Sequence, residues 1–141
     1  PDARCMPPLS TKEKAYVQEW LDLATHDLRA AERMVADAPS TFGYLIAFVA
    51  QQATEKLVKA ALLTQAIPFP KTHDIPALLV LLSQHLTFSA ADYSNAATLA
   101  DYAVEVRYPG KKINLSELQA AVQMAQQFEQ RLLPFVQAAL V

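Results

Sequence analysis

A chain of 141 residues with 52% hydrophobic and 18% charged side chains has enough apolar material for one compact core and too ordinary a charge content for disorder. Its formal net charge of −2 supplies no global basic field for nucleic acid, so any anion site has to be local. Two glycines among plentiful alanine, leucine and glutamine favour helix, because those side chains lose little rotamer freedom in it.

Residues 1–9, "PDARCMPPL", are read as a tail that is disordered or not native to the protein, with Met6 as an alternative start; residues 10–141 form a single domain. Ser10 or Thr11 caps a first helix, predicted over 10–37, and Glu13 stands in capping-box position to Ser10. Tyr16, Trp20, Leu23, Ala24, Leu28, Ala31, Met34 and Val35 recur along it with helical spacing. Pro39 stops that run, and Thr41 caps a second helix over 41–67 with Leu45, Val49, Ala53, Leu57, Ala60 and Leu63 or Thr64 facing inward.

Pro68 and Pro70 make "IPFPKT" a rigid extended connection. A third helix, 72–86, starts near Thr72 to Asp74 and tolerates Pro76 in its first turn. "SAAD" at 89–92 caps a fourth helix over 89–107, carried by Tyr93, Ala97, Leu99 or Ala100, and Val104. "YPGKKIN" breaks the chain again, and Asn114 with Glu117 opens a fifth helix over 114–138, which Pro134 kinks or frays. No segment alternates with the period of an exposed strand. The expected fold is therefore all-α, with Trp20, Leu28, Val49, Leu57, Leu79 and Val104 inside. No apolar run reaches the roughly 20 residues of a membrane span. The lone Cys5 excludes an internal disulfide and fits a reducing, cytoplasmic setting.

Four groups of residues could carry chemistry. On the second helix Gln52, Glu55 and Lys59 share one face, with Lys56 adjacent. They form either a solvated flank stabilised by an i,i+4 pair or a polar cluster that meets charges across the bundle. "KTHDIP" sets Lys71, His73 and Asp74 at a helix start, where an N-cap explains much and an anion or a titrating histidine would also fit. On the first helix Asp22, His26, Arg29 and Arg33 make a mixed-charge, solvated face, whereas Asp27 sits among apolar neighbours. Arg107 closes the fourth helix, and with Lys111 and Lys112 it makes the densest positive patch in the chain. It is either a cation against the helix dipole or a forked donor for phosphate. The three histidines and Cys5 show no ligand spacing, so no metal is assigned, and no cofactor.

In order, "ATHDLRAAERM", "AFVAQQATEKLVKAALL", "KTHDIPALL" and "LADYAVEVRYP" resemble the HEPN domain family over roughly residues 15–135. The resemblance implies an up-and-down bundle of about five helices, usually a homodimer, in a prokaryotic toxin–antitoxin-like context. Many relatives are RNases with arginine, four to six residues, then histidine; others partner minimal nucleotidyltransferases or are proposed to bind nucleotides. Here Lys112, Ile113 and Asn114 stand where that histidine would be, and His26, His73 and His85 all precede Arg107. The expected function is thus a homodimeric nucleotide- or RNA-binding module or nucleotidyltransferase partner with no catalytic residue, the alternative being a metal-independent endoribonuclease toxin. Arg107, Tyr108, Lys59, Glu55, His73, Asp74, Lys111 and Lys112 are the candidate ligand- or phosphate-binding residues.

Overall fold

The computed structural model describes residues 7–104 and 112–141, and the described chain contains helices and no strand. The helix α1 spans Thr11–Asp37. Ser10 Oγ accepts from the Glu13 N–H at 3.1 Å while Glu13 accepts from the Ser10 N–H at 2.9 Å, closing the capping box. Just ahead of that cap, Leu9 packs against the core.

The buried stripe of α1 is Val17, Leu21, Ala24, Leu28 and Ala31. Tyr16 and Leu23, which share the helical spacing, are 51% and 54% exposed, and Trp20, expected inside, is only partly buried. Apolar side chains cover too wide an arc of this helix for all of them to face one core, and the 3–4 spacing that starts at Val17 is the one that closes.

After α1 the chain makes a one-turn helix, α2 (Pro39–Phe42), with proline in its first turn, so Thr41 lies inside a helix rather than capping one. Gly43, at φ +48°, turns the chain into α3 (Tyr44–Thr64) through a conformation that a side chain would strain.

The core is organised around α3. It packs against α1 and α6 and carries α4 and α5 on its remaining side. Its run of Ala47, Ala50, Ala53, Ala60 and Ala61, all fully buried, lets neighbouring helices approach closely. Leu57, Val58 and Leu62 fill the spaces between. Of the inward stripe placed from sequence, Leu45 is exposed and Val49 is only half-buried against the core.

Thr64 ends α3 three residues earlier than the prolines suggested. The Ile67 and Ala66 amides bond back to the Leu62 and Leu63 carbonyls, with Ala66 at φ 54°. This is a Schellman stop in which alanine holds the left-handed position.

Helix α4 (Ile75–Leu82) has Asp74 as N-cap, whose carboxylate accepts from the Ala77 N–H at 3.1 Å. Ile75, Leu78, Leu79 and Leu82 are fully buried. Helix α5 (Ala90–Asp101) starts in a Ser89–Asp92 capping box. It stops at Asp101, where a turn buries Tyr102 and Ala103 and leaves Val104 54% exposed, against the expectation that Val104 is inside.

Helix α6 (Leu115–Leu140) opens with the Asn114–Glu117 box and runs through Pro134 to Leu140. Pro134 is on the exposed side, where water can satisfy the carbonyl whose N–H partner it removes. Arg131 ties α6 to α5: it donates to Asp92 at 2.8 Å and to the Thr87 carbonyl, with its guanidinium 5.0 Å from the Phe88 ring centroid.

Cross-contacts give the directions. Asp27 pairs with Lys56, and Trp20 meets Lys59, so α1 and α3 are antiparallel. Lys14 reaches the Val141 carbonyl and Arg29 pairs with Glu129, so α6 also runs antiparallel to α1. Among the described residues no helix is long and apolar enough to cross a membrane.

Candidate binding cleft at the head of the fourth helix

Because α3 is central, polar side chains on it end up inside unless they reach an edge. Gln51, Glu55 and Lys59 stand one turn apart on one face, and all three are buried: 0%, 5% and 8% exposed. The solvated-flank reading of Glu55 and Lys59 is therefore wrong. Burying a charge without partners costs several kcal/mol, roughly, so such groups must be paired and hydrogen-bonded. They are. Glu55 accepts from Gln51 Nε2 at 3.0 Å and from Lys59 Nζ at 3.1 Å, and its Oε1 lies 2.7 Å from His73 Nδ1. Gln51 in turn accepts from Gln52 at 2.8 Å. Lys59 Nζ lies 5.9 Å from the ring centroids of both Trp20 and Phe69, within cation–π range. Among the described residues no buried side-chain polar atom lacks a partner.

His73 reaches this network from the connection between α3 and α4. The two prolines keep that segment extended, Phe69 packs inward against Lys59, and the Ile75 N–H bonds to the His73 carbonyl at 3.0 Å. Thr72 Oγ1 accepts from the Asp74 N–H at 3.0 Å, which tightens the turn just before the α4 cap. The imidazole thus has two faces. Its Nδ1 edge meets a carboxylate that is 6% exposed, while the side chain as a whole is 54% exposed. The outer side lines a cleft of about 420 Å³ between the head of α4 and the end of α5, shared with Thr72, Asp74, Ala97, Asp101 and Val104.

Of the residues singled out from sequence, Glu55, Lys59 and His73 come together in one network, and Asp74 borders the same cleft. Lys56 does not join them: it pairs with Asp27, which is half-buried as its apolar neighbours suggested. Lys112 is exposed and is not among the residues lining the cleft. Arg107, Tyr108 and Lys111 lie outside the described residues. Val104, the last described residue before them, is part of the cleft wall.

Gln51, Trp20, Phe69 and Asp101 belong to the site and were not read from sequence. Only Gln51 had a local signal, four residues before Glu55. The face of Asp22, His26, Arg29 and Arg33 is exposed as expected, with Arg29 bonded to Glu32 and Glu129. The bond to Glu129, which ties α1 to α6, raises the Arg29 pKa above its already high ordinary value. Among the described residues no cluster of three His, Cys, Asp or Glu could hold a metal ion.

The fold is shared with solved structures. The protein TT1696 from Thermus thermophilus is similar over 87% of this chain and 97% of its own, with a TM-score of 0.70 at 24% identity. ST0689, described as an archaeal HEPN homologue, is similar over 89% of this chain and 98% of its own, with a TM-score of 0.64 at 25% identity. No curated protein matches the chain. The HEPN domain pattern matches residues 17–133, nearly the whole bundle from the second turn of α1 to the last turns of α6, and the chain belongs to the HEPN domain family.

Proposed function

We propose that this HEPN-domain protein is a non-catalytic, homodimeric binding module that holds a phosphate-bearing ligand, a nucleotide or RNA, in the cleft at the head of α4. The observation that carries the reading is the placement of His73, held by buried Glu55 and lining a cleft whose wall includes Val104, three residues before Arg107 in the sequence. In the sequence that follows Val104, Arg107 has the forked donors and Lys111 the point charge that suit phosphate. No histidine follows Arg107 at the RNase spacing, which argues for binding over cleavage. The same surface would serve docking to a small nucleotidyltransferase. The exposed apolar row of Tyr16 and Leu23 beside Trp20 supports the homodimer, since a two-fold contact needs only one self-complementary patch.

Arg107→Lys tests the reading. Titration calorimetry with a ribonucleotide is expected to show binding weakened by about 1.5–3 kcal/mol, because lysine keeps the charge but not the fork. Unchanged affinity would reduce Arg107 to a helix-end cation. One observation favours the endoribonuclease reading: a carboxylate-held imidazole is also the geometry of a general base. Metal-free RNA cleavage by the purified protein, abolished by His73→Ala, would replace the binding reading with that one.

A further inference from the structure

One face of α1 is left open by the rest of the described chain, although it is largely apolar. Tyr16 and Leu23 are exposed on it, and half-buried Trp20 lies between them. The Tyr16 and Trp20 rings meet edge to face with centroids 6.3 Å apart. With Glu19, Leu23 and Lys56 they line a groove of about 280 Å³.

The order of residues along this face says what covers it. Lys12, Tyr16, Glu19, Trp20, Leu23 and Asp27 follow at steps of four, three, one, three and four, so they share one side of the helix. That spacing is the same read from either end. Turned end for end about a point midway between Glu19 and Trp20, the face sets Tyr16 opposite Leu23 and Lys12 opposite Asp27. The first pairing is aromatic against aliphatic, and the second is a cation against a carboxylate. Lys12 is exposed and has no bond or ion pair among the described residues. Asp27 gives Oδ2 to Lys56, which leaves Oδ1 to accept. Near the axis the two Glu19 carboxylates have Lys56, in the same groove, as the opposing charge. A two-fold contact demands this symmetry, because whatever residue i meets at j, j must meet at i. A different protein or a nucleic acid makes no such demand.

We propose that the homodimer forms by antiparallel packing of α1 on α1 of a second copy, with its axis between Glu19 and Trp20. Tyr16 then packs on Leu23 of the second copy, and Lys12 pairs with Asp27 at either end. This rests on the homodimer reading and deepens it by naming the surface and its register. From Lys12 to Asp27 the contact spans about 22 Å, at 1.5 Å per residue. It also covers Trp20, whose ring centroid lies 5.9 Å from Lys59 Nζ, so the second copy adds to the cover over the Lys59–Glu55 pair.

Disulfide trapping tests the register, in chains whose native thiol is removed by Cys5→Ser. Tyr16→Cys and Leu23→Cys chains mixed together are expected to cross-link, because the two positions lie at one height. Neither chain alone should, because its own two thiols lie about 10 Å apart along the axis, beyond the reach of a disulfide. Should the cysteines loosen the dimer, two further measurements decide. Trp20 is the one tryptophan in the sequence, so its emission should shift to the red as the wild type is diluted from dimer to monomer. Lys12→Glu, at the rim, should weaken sedimentation as a dimer about tenfold, since the two-fold axis repeats each lost pair. Cross-linking of Tyr16→Cys alone as readily as the mixture overturns the register. A dimer with unchanged Trp20 emission on dilution, and unaffected by Lys12→Glu, overturns this inference and leaves the homodimer reading standing. A wild type that is monomeric at every concentration overturns both.

Discussion

Lys59→Met removes the ammonium from the buried network while keeping a side chain of similar length between Trp20 and Phe69. Glu55, 6% exposed, then keeps only Gln51 and His73 as donors. Breaking a buried pair from one side typically costs about 3–5 kcal/mol, and the two surviving donors place this case near 3. At this chain length that is a drop of roughly 10 °C in Tm. Glu55→Leu should cost at least as much, because it strands the ammonium and leaves Gln51 Nε2, in a fully buried side chain, without its acceptor.

The double variant removes both charges together, and its main remaining defect is the orphaned Gln51 donor, worth about 1–3 kcal/mol. Urea unfolding of all four proteins should therefore give a double-mutant loss well short of the sum of the singles, with a coupling of about 3 kcal/mol. Single losses below about 1 kcal/mol that simply add would mean that Glu55 and Lys59 behave as a solvated surface pair rather than a buried network.

The proposed homodimer predicts that the wild type sediments as a dimer and Leu23→Glu as a monomer in analytical ultracentrifugation, with circular dichroism unchanged, since Leu23 is 54% exposed on the single chain. Ala66→Gly should stabilise the fold by roughly 0.5–1 kcal/mol in urea, because glycine takes the left-handed position at the end of α3 without the strain of a Cβ. Bonds from the Ser10 backbone and side chain hold the Glu13 carboxyl below its ordinary range. The α1 cap is therefore intact above that ordinary range and lost as pH falls through the lowered value, which the Ser10 amide resonance should report during an acid titration.

Short-range signals carried most of what the sequence disclosed. The pairs Ser10–Glu13, Ser89–Asp92 and Asn114–Glu117 all close as capping boxes, because each depends only on residues three apart. The register of α1 was not legible in the same way. Tyr16, Trp20 and Leu23 are as apolar as Val17 and Leu21, and only packing on α3 and α6 decides which set turns inward.

The burial of Lys59 needed two aromatic rings from distant segments, Trp20 and Phe69, which no local pattern on α3 announces. The contact between His73 and Glu55 depends on where a proline-stiffened connection of extended chain delivers a histidine. Composition showed both residues but not their meeting. The one-turn helix α2 was hidden by Pro39, which reads as a stop for α1 and also serves as the first residue of the next helix.

We propose that the cleft holding His73 binds an RNA-type ligand and leaves it whole. It is tested most directly by titrating a short single-stranded RNA into wild-type and His73→Ala protein by calorimetry, without metal, and recovering the RNA afterwards. Saturable binding to the wild type, about fivefold to tenfold weaker binding to His73→Ala, and intact RNA from both are expected. Equal affinity for the two proteins, or RNA cut by the wild type alone, would contradict it.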